Sequence, residues 1–142
     1  MNSTFAGSCL CEAVKYTVSG DPKHSVLCHC DSCQKVSGST FMANYLYDKN
    51  QLQVSRGQES ITTYEDRATA SGQSLKRCFC GVCGSNLFVY SDLPQARNMI
   101  SVTSGTLDDS VNLRPQLEFF CRNRRNWLPA DGVPGAEQKQ TQ

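Results

Sequence analysis

The chain has 142 residues, with 14 basic and 13 acidic side chains and a formal net charge of +1. This length suits one domain with a core large enough to fold unaided. The near-neutral charge excludes a general electrostatic attraction to nucleic acid or to an anionic membrane. No stretch approaches the ~18 apolar residues of a membrane-spanning helix, and the N-terminus has no cationic segment before an apolar run. We therefore expect a cytoplasmic protein that binds neither nucleic acid nor membranes.

Short β-strand patterns dominate the first two thirds of the chain. Residues 13–20 alternate apolar and polar side chains before a Gly-Asp-Pro turn. Residues 39–47 and 85–92 are rich in aromatic and β-branched side chains, which favour strands. Residues 52–66 resemble a hairpin that turns near Gly57.

The remaining elements follow the same trend. Residues 99–109 predict a strand that enters a glycine turn, and residues 116–123 predict the last strand. Residues 66–74 are small and polar and are expected to form a loop. No helix has strong periodicity, although one could begin within residues 30–38. The sequence therefore predicts a mainly β domain.

The C-terminal segment predicts a different kind of structure. Residues 128–142 contain two prolines, two glycines and few apolar side chains. Such a composition is typical of a loosely attached tail. We expect a single domain over residues 1–132 and a flexible tail over residues 133–142.

Nine cysteines are the most informative residues of the sequence. Their odd number and a reducing cytoplasm argue against a disulfide framework. In a Cys-x-Cys pair on an extended strand the two thiols lie side by side on one face, which is poor geometry for a disulfide and good geometry for a metal ion. Metal binding is therefore favoured.

Four of these cysteines predict one closed zinc site. Zinc takes tetrahedral thiolates at about 2.3 Å, so its sulfur ligands must lie under ~4 Å apart. Cys80 and Cys83 are each followed by glycine, which lets the backbone turn beneath a metal ion. Cys9 and Cys11 supply a matching pair from the other end of the chain. The site would be structural and would tie the N-terminal strand to the domain.

Cys28, Cys30 and Cys33 can occupy three corners of a second tetrahedron. A zinc ion with three protein ligands keeps an open position, as catalytic zinc does. Three thiolates and one zinc ion sum to a charge of about −1, so this zinc is a weaker Lewis acid than one held by neutral histidines. Such a sulfur-rich site should bind a soft thiolate from outside the protein, and the zinc would lower the pKa of that thiol. We expect these three cysteines to be the catalytic residues of a thiol chemistry.

The motifs GSCLCEAVKY, CHCDSCQKVSG, RCFCGVCGSNLF, SGTLDD and RNRRNWL together resemble the glutathione-dependent formaldehyde-activating enzyme (GFA) family, which includes the CENP-V-like proteins. The resemblance spans about residues 7–135 and includes all seven cysteines of the family pattern. It implies a β-tent fold of small antiparallel sheets held together by two zinc ions. It also implies carbon-sulfur lyase activity, whose type reaction condenses formaldehyde with glutathione to S-hydroxymethylglutathione.

In this resemblance the structural zinc ligands are matched by Cys9, Cys11, Cys80 and Cys83, and the functional zinc ligands by Cys28, Cys30 and Cys33. Cys78 and Cys121 lie outside the pattern, and we interpret both as packed apolar residues. Glu12 stands where the family usually has glycine, so the turn after Cys11 is expected to change without loss of a ligand.

Basic side chains are candidates for binding the carboxylates of a glutathione-like ligand through charge-assisted hydrogen bonds. We predict this role for Lys76, Arg77 and Arg124, with Arg122 and Arg125 as further candidates. The alternative is an ordinary solvated face.

Other polar residues receive a structural interpretation. His29 lies between two ligands and should point away from the metal, where it packs or supports the ligands. His24 is expected at the surface. Asp31 either orients the site or is an exposed turn carboxylate. Gly105 and Asp108 predict a turn in which Asp108 caps its own backbone.

The aromatic residues Trp127, Phe119 and Phe120 are interpreted as core or pocket wall, because no interleaved basic pattern suggests a base-stacking surface.

Three classes of function remain open at this point. The first is an enzyme that makes or breaks a carbon-sulfur bond with a thiol adduct or small carbonyl compound; decarboxylation or isomerisation of a larger metabolite is a variant of it. The second is a carrier of glutathione or zinc without turnover. The third is an interaction scaffold, which would not need three cysteines at an open site. The oligomeric state is undetermined, with a homodimer as one option.

Overall fold

Strands account for most of the regular structure. The computed structural model describes residues 3–69, 72–108 and 113–141. The strands of these ranges are β1 Thr4–Ser8, β2 Lys15–Ser19, β3 His24–Cys28, β4 Met42–Asp48, β5 Leu52–Arg56, β6 Ile61–Asp66, β7 Leu75–Cys80, β8 Asn86–Tyr90, β9 Met99–Thr103, β10 Leu117–Phe119 and β11 Glu137–Gln138. The helix α1 spans Asp31–Ser37. The predicted mainly β class is confirmed. Among these ranges, no helix is both long and apolar enough to cross a membrane.

The strands form two sheets. The smaller sheet has the order β1-β2-β5 and is antiparallel throughout. The larger sheet has the order β11-β10-β3-β4-β9-β8-β7-β6. Its pairs are antiparallel from β3 to β6, whereas β10 pairs in parallel with both β3 and β11. This mixed end of the larger sheet carries the three-cysteine segment that follows β3.

The main core lies where the two sheets meet. Alternation in β2 buries Tyr16 and Val18, while its other side chains are half-buried. The Tyr16 ring meets Phe88 of the larger sheet edge to face, with ring centroids 5.1 Å apart. A side chain at Gly7 would place its Cβ 2.2 Å from the Tyr16 ring. Gly7 therefore allows the ring to reach the second sheet.

The predicted hairpin over residues 52–66 is wrong, although both strands and the turn at Gly57 are present. β5 pairs with β2 in the smaller sheet, whereas β6 pairs with β7 in the larger one. Gly57 has φ 78° and approaches the Ala13 carbonyl so closely that a Cβ would lie 1.9 Å from its oxygen. The turn therefore carries the chain from one sheet to the other.

The other predicted elements agree with the structure. Strands occur within each of the remaining predicted segments, and α1 lies within residues 30–38. Short 3₁₀ turns follow β9 and β10. The predicted loop over residues 66–74 begins after β6, and its positions 70 and 71 lie outside the described residues.

The prediction of a loosely attached tail needs correction, since β10 is not the last strand. β11 pairs with β10, and the Lys139 N–H donates to the Glu118 carbonyl at 2.9 Å. The Cys121 N–H donates to the Lys139 carbonyl at 2.9 Å. The segment has few apolar side chains, but backbone pairing and contacts with a buried carboxylate hold it in place.

Glu12 keeps a turn conformation that glycine favours. Its φ is 63°, in the left-handed region, and its N–H donates to the Cys9 carbonyl at 3.0 Å. The side chain pairs with Lys15 on the surface at 3.4 Å. Glu12 therefore bears the steric cost of a Cβ in the left-handed region.

We expect Glu12→Gly to stabilise the folded protein by about 1 kcal/mol, because a glycine adopts this φ without strain. Glu12→Ala is the matched control, since it also removes the ion pair with Lys15 but keeps the Cβ. Urea unfolding of the three proteins measures the difference. Equal free energies of unfolding for the glycine and alanine variants would contradict this account.

Candidate functional site

The structure brings together the four cysteines predicted to form a closed site. Their sulfur atoms all lie within 4.8 Å of one another, and we call Cys9, Cys11, Cys80 and Cys83 the four-cysteine group. The Cys11 Sγ lies 3.7 Å from that of Cys9 and 3.8 Å from that of Cys80. A tetrahedron with metal–sulfur bonds of 2.3 Å has edges of about 3.8 Å. The spacing therefore fits a tetrahedral metal ion.

Hydrogen-bond donors lie next to three sulfurs of the four-cysteine group, those of Cys9, Cys80 and Cys83. The Val14 N–H donates to the Cys9 Sγ at 3.3 Å, and the Val82 N–H donates to the Cys80 Sγ at 3.4 Å. Hydrogen bonds with the Ser85 hydroxyl and with the Ser85 backbone lower the pKa of the Cys83 thiol to about 5, and the hydroxyl has the larger effect. Such donors around the sulfurs are a usual feature of bound metal sites.

The three-cysteine group consists of Cys28, Cys30 and Cys33, whose sulfurs also lie within 4.8 Å of one another. Cys28 ends β3, Cys30 caps the N-terminus of α1, and Cys33 lies in its first turn. The Cys33 N–H donates to the Cys30 Sγ at 3.2 Å. Within the described part of the chain no further His, Cys, Asp or Glu joins this group. Its donor set fits a soft metal ion with one open position.

A thiolate is favoured at Cys30. Hydrogen bonds with the Cys28 and Cys33 thiols, helped by the charge of Arg77, lower the pKa of Cys30 to about 2. Contact with the other two sulfurs raises the pKa of Cys33. The group therefore combines a thiolate at Cys30 with protons on the neighbouring sulfurs. A divalent cation that bound here would displace these protons.

A cavity of about 310 Å³ opens next to the three-cysteine group, and all three cysteines line it. Its walls are largely apolar and include Val26, Met42, Leu46, Val89, Met99 and Phe120. Cavities of this size commonly bind small molecules in proteins. The four-cysteine group contributes nothing to this lining. The two groups therefore differ in access as well as in the number of sulfurs.

His29 points away from the sulfurs, as predicted, and contacts a buried carboxylate. Its Nε2 lies 2.8 Å from the Glu118 Oε1, and both side chains are 2% exposed. Gln138 and the Val133 N–H donate to the Glu118 Oε2 at 2.6 and 2.7 Å. Arg124 lies 3.3 Å from the Oε1. These contacts fix the backbone between Cys28 and Cys30 against β10 and the C-terminal segment.

The pKa of Glu118 shows how these contacts balance its burial. Burial raises this pKa, but hydrogen bonds from Gln138, His29 and Val133 and the charge of Arg124 lower it to about 2. Glu118 is thus an ionised group inside the protein. Because an ionised carboxylate only accepts hydrogen bonds, His29 must donate through Nε2.

The three basic residues predicted to bind carboxylates are placed differently from one another. Arg77 lines the cavity, but it is 6% exposed and its Nε donates to the Asp66 Oδ2 at 2.8 Å. Lys76 pairs with Asp92 at 3.4 Å and does not line the cavity. Arg124 is also absent from the lining, because Glu118 holds it elsewhere. Arg122 and Arg125 are exposed. Of the predicted set only Arg77 reaches the cavity.

The aromatic predictions are partly confirmed. Phe119 and Phe120 line the cavity, as expected for a pocket wall. Trp127 is 68% exposed, so its assignment to core or pocket wall is wrong. It lies in a turn at the surface.

The remaining polar and glycine residues that the sequence singled out lie at the surface or in turns. His24 and Asp31 are exposed, and Asp31 accepts a hydrogen bond from Asn123 at 3.1 Å. Gly105 lies in a 3₁₀ turn over residues 104–106. The Asp108 carboxylate accepts from the Ser8 hydroxyl at 2.8 and 2.9 Å. The backbone that Asp108 is predicted to cap continues into residues 109–112, which lie outside the described residues.

Cys78 and Cys121 are buried outside both groups, as predicted. Cys78 packs in the main core, and its Sγ lies 3.5 Å from the Thr63 hydroxyl. Cys121 contacts the Glu118 carbonyl and the Gln138 side chain. Both therefore act as packed residues rather than ligands.

Sequence reasoning missed Glu118 and Asp66. For Glu118 the available signal was a single charge between apolar residues, in the stretch LEFF, whereas Asp66 follows another acid in a polar strand and gave no such signal. A lone carboxylate between apolar strand residues must find donors if it is buried, because an unpaired buried charge is costly. Its partners come from distant segments, so the sequence did not identify them.

Comparison with known proteins establishes the family. The family model described as glutathione-dependent formaldehyde-activating enzyme matches residues 4–123. The chain belongs to this family. The match covers both cysteine groups and Glu118. It ends before Arg124 and the C-terminal segment that contacts Glu118.

Two curated proteins and one solved structure are similar to this GFA-family chain. A Halomonas elongata protein, provisionally named a glutathione-dependent formaldehyde-activating enzyme, is 28% identical over 86% of this chain and 78% of its own length. An uncharacterized lyase of Schizosaccharomyces pombe is 32% identical over 59% of this chain and 56% of its own length. A Rhodobacter sphaeroides crystal structure has a TM-score of 0.56 at 21% identity, over 73% of this chain and 88% of that one. This last likeness supports the fold alone.

Glu118→Gln tests the buried carboxylate through the pH dependence of stability. The pKa of Glu118 falls from an ordinary 4.5 to about 2 on folding. Its charge therefore stabilises the folded state above about pH 5, and this contribution disappears as the pH falls towards 2. At pH 7 the variant should lose on the order of 3 kcal/mol.

Unfolding by urea at several pH values measures this difference, with the exposed Glu137→Gln as the matched control. The gap between wild type and Glu118→Gln should shrink between pH 5 and pH 2, while the control follows the wild type. A gap that stays constant with pH would show that the ionised carboxylate is not the cause.

Proposed function

We propose that this GFA-family protein is a zinc-dependent carbon-sulfur lyase-type enzyme acting at Cys28, Cys30 and Cys33. The observation that supports it is the meeting of three thiols within 4.8 Å of one another at the wall of a cavity of about 310 Å³. A purely structural metal site has four protein ligands and no need of a cavity. The reaction joins a thiol to a small carbonyl compound or cleaves the resulting adduct.

The chemistry of addition needs no oxidant. A bond forms between the thiol sulfur and the carbonyl carbon while the π bond of the carbonyl breaks. The carbonyl oxygen keeps that electron pair and takes up the proton that the thiol loses. Zinc bound to the three-cysteine group would supply the Lewis acidity that lowers the pKa of a thiol or polarises a carbonyl. The apolar walls exclude water, which strengthens electrostatic interactions at the reacting atoms.

The same proposal covers cofactors, partners and location. Two zinc ions per chain are proposed, one in the four-cysteine group with a structural role and one in the three-cysteine group. The partner is a small molecule, either glutathione or another cellular thiol with its carbonyl acceptor. A cytoplasmic location agrees with this chemistry, because a reducing compartment keeps the nine cysteines free.

One observation favours a second candidate, a glutathione or zinc carrier without turnover. Among the described residues, the cavity lining contains no His, Asp or Glu that could act as general base. A carrier would bind a thiol stoichiometrically without accelerating its addition to a carbonyl. The apolar lining also suits a larger metabolite, so decarboxylation or isomerisation at this site is a variant of the enzyme hypothesis.

Metal content gives a first test. Gently purified protein should contain two zinc ions per chain, and a chelator should remove the ion of the three-cysteine group first because it has fewer protein ligands. Cys33→Ser should then retain one ion and remain folded, whereas Cys80→Ser should unfold at lower urea concentration. Elemental analysis and circular dichroism measure both effects. A wild-type protein that holds iron, or loses both ions at one rate, would contradict the assignment.

Turnover gives the second test. The rate of hemithioacetal formation from a thiol and formaldehyde should exceed the uncatalysed rate, and Cys30→Ser should reduce kcat/KM at least about 100-fold. Cys78→Ala, a buried cysteine outside both groups, is the matched control and should keep the wild-type rate. Stoichiometric thiol binding without acceleration would identify a carrier. Loss of neither binding nor rate in Cys30→Ser would indicate a scaffold.

A further inference from the structure

Arg77 places a buried positive charge in the wall of the cavity. Among the described residues that line it, Arg77 is the only lysine or arginine, and its side chain is 7% exposed. Charges interact more strongly where water is excluded, because the effective dielectric constant is lower there. A ligand oxygen that met this guanidinium would therefore be held more strongly than by an arginine at the surface.

The strand register directs Arg77 towards the three-cysteine group. Arg77 of β7 pairs with Val89 of β8, and residues paired across neighbouring strands project from the same face of a sheet. Val89 packs against the buried cluster that contains Cys30 and Cys33. The Arg77 side chain therefore leaves the sheet on the side of the sulfurs.

Asp66 holds the Arg77 guanidinium through one of its donors. The Asp66 Oδ2 accepts from the Arg77 Nε at 2.8 Å, while the Oδ1 accepts from the Ala68 N–H at 3.1 Å. A guanidinium has further N–H donors on its two Nη atoms, and these make no hydrogen bond to another residue that the structure describes. Asp66 thus orients the group and leaves the Nη donors unused.

The Nη atoms of Arg77 are open to the cavity. In the described chain, a fully buried guanidinium nitrogen without a partner occurs at Arg124 but not at Arg77. Because Arg77 lines the cavity and its Nη donors are neither sealed nor paired, a molecule bound at the sulfurs can accept hydrogen bonds from them. Charged donors of this kind form strong hydrogen bonds with anionic oxygens.

The proposed addition creates an oxygen that needs such a partner. The three-cysteine group has one open position, which the reacting thiolate occupies. When the sulfur bonds to the carbonyl carbon, the electron pair of the π bond moves to the oxygen, which is negative until it takes up the proton that the thiol lost. Three thiolates with a zinc ion carry a net charge of about −1 and do not attract this oxygen. A positioned cation stabilises the developing charge and lowers the barrier.

We propose that Arg77 is a catalytic residue whose Nη groups donate hydrogen bonds to the substrate oxygen on the carbon bonded to the reacting sulfur, and that Asp66 is its positioning residue. The proposal rests on the proposed function and adds an oxyanion site to it. An arginine does not release its proton in proteins, so Arg77 stabilises the charge without transferring a proton. The favoured ligands are sulfur compounds with an oxygen on the sulfur-bearing carbon, such as hemithioacetals and thiocarboxylates.

A matched pair of sulfur ligands tests this site by binding alone. Thiobenzoate and phenylmethanethiol have nearly the same size, but only thiobenzoate has an oxygen on the carbon bonded to sulfur. The affinity of each for the zinc-loaded protein is measured anaerobically by calorimetry. Arg77→Met should weaken thiobenzoate binding at least about tenfold and phenylmethanethiol binding less than about threefold, because only the first ligand loses a hydrogen bond to a charged donor.

Two further variants control for surface charge and for folding. Arg97 is exposed and follows the lining residue Ala96, so Arg97→Met removes a solvated arginine near the cavity and should leave the ratio of the two affinities unchanged. Arg77→Met leaves Asp66 without its cation in the protein interior. If that variant does not fold, the double variant Asp66→Asn/Arg77→Met removes both charges and should show the same change in the ratio.

Turnover gives a second measurement. Arg77→Met should lower kcat for hemithioacetal formation about 100-fold, because the oxygen becomes charged only during the reaction. The KM for the thiol should change less than about threefold. Arg77→Lys keeps a positive charge and should recover part of the lost rate, although it lacks the planar arrangement of donors.

The contrary results separate the oxyanion site from the function on which it rests. Equal losses for both ligands in Arg77→Met, or an unchanged ratio of their affinities, would overturn the site and leave the enzyme assignment standing. The same change in ratio in Arg97→Met would attribute the effect to surface charge and also overturn it. A raised KM with unchanged kcat would do so as well. If Cys30→Ser bound both ligands as the wild type does, the proposed function itself would fail.

Discussion

The carboxylate of Glu118, removed from water inside the protein, determines how the chain is arranged around the three-cysteine group. A buried charge is tolerated only with several donors. Here these come from three separate segments: His29 from the loop after β3, Arg124 from the turn after β10, and Val133 and Gln138 from the C-terminal segment. Satisfying one carboxylate therefore positions the cysteine loop, the parallel strands and the C-terminus relative to each other.

The two cysteine-rich stretches share a spacing but lie in different surroundings. CHCDSC and CFCGVC have cysteines at the same three relative positions. In the second stretch Cys78 packs in the core between the sheets, and only the other two sulfurs turn towards the N-terminal pair. In the first stretch all three sulfurs face a cavity. Access to small molecules follows from this difference in surroundings.

The sequence was sufficient for local features and for the grouping of the cysteines. Tetrahedral spacing requires two nearby pairs, so the pairing of Cys9 and Cys11 with Cys80 and Cys83 followed from chemistry alone. Strands such as β2 were predictable because alternation reports a half-buried surface. The error at residues 52–66 has a different origin. Two adjacent strands look like a hairpin locally, and only the contact of Gly57 with Ala13 reveals that they enter different sheets.

The ion pairs of the cations that were predicted to bind a ligand were the least predictable part of the site. The sequence around a lysine or arginine near a cysteine motif does not show which carboxylate will pair with it in the folded protein. Arg77, Lys76 and Arg124 are each paired with an acid that is distant or unremarkable in sequence. The tail was misjudged for a related reason, since composition measures apolar content and β11 is held by polar contacts and backbone pairing.

Parallel pairing of β10 with both β3 and β11 has a consequence for folding kinetics. Val26 pairs with Leu117, and Leu117 pairs with Glu137, so this end of the larger sheet joins segments that are far apart in sequence. Such non-local pairs form slowly, because the chain must close a long loop before their contacts stabilise it. The supports of the cysteine loop are therefore expected to assemble late in folding, after the local antiparallel pairs.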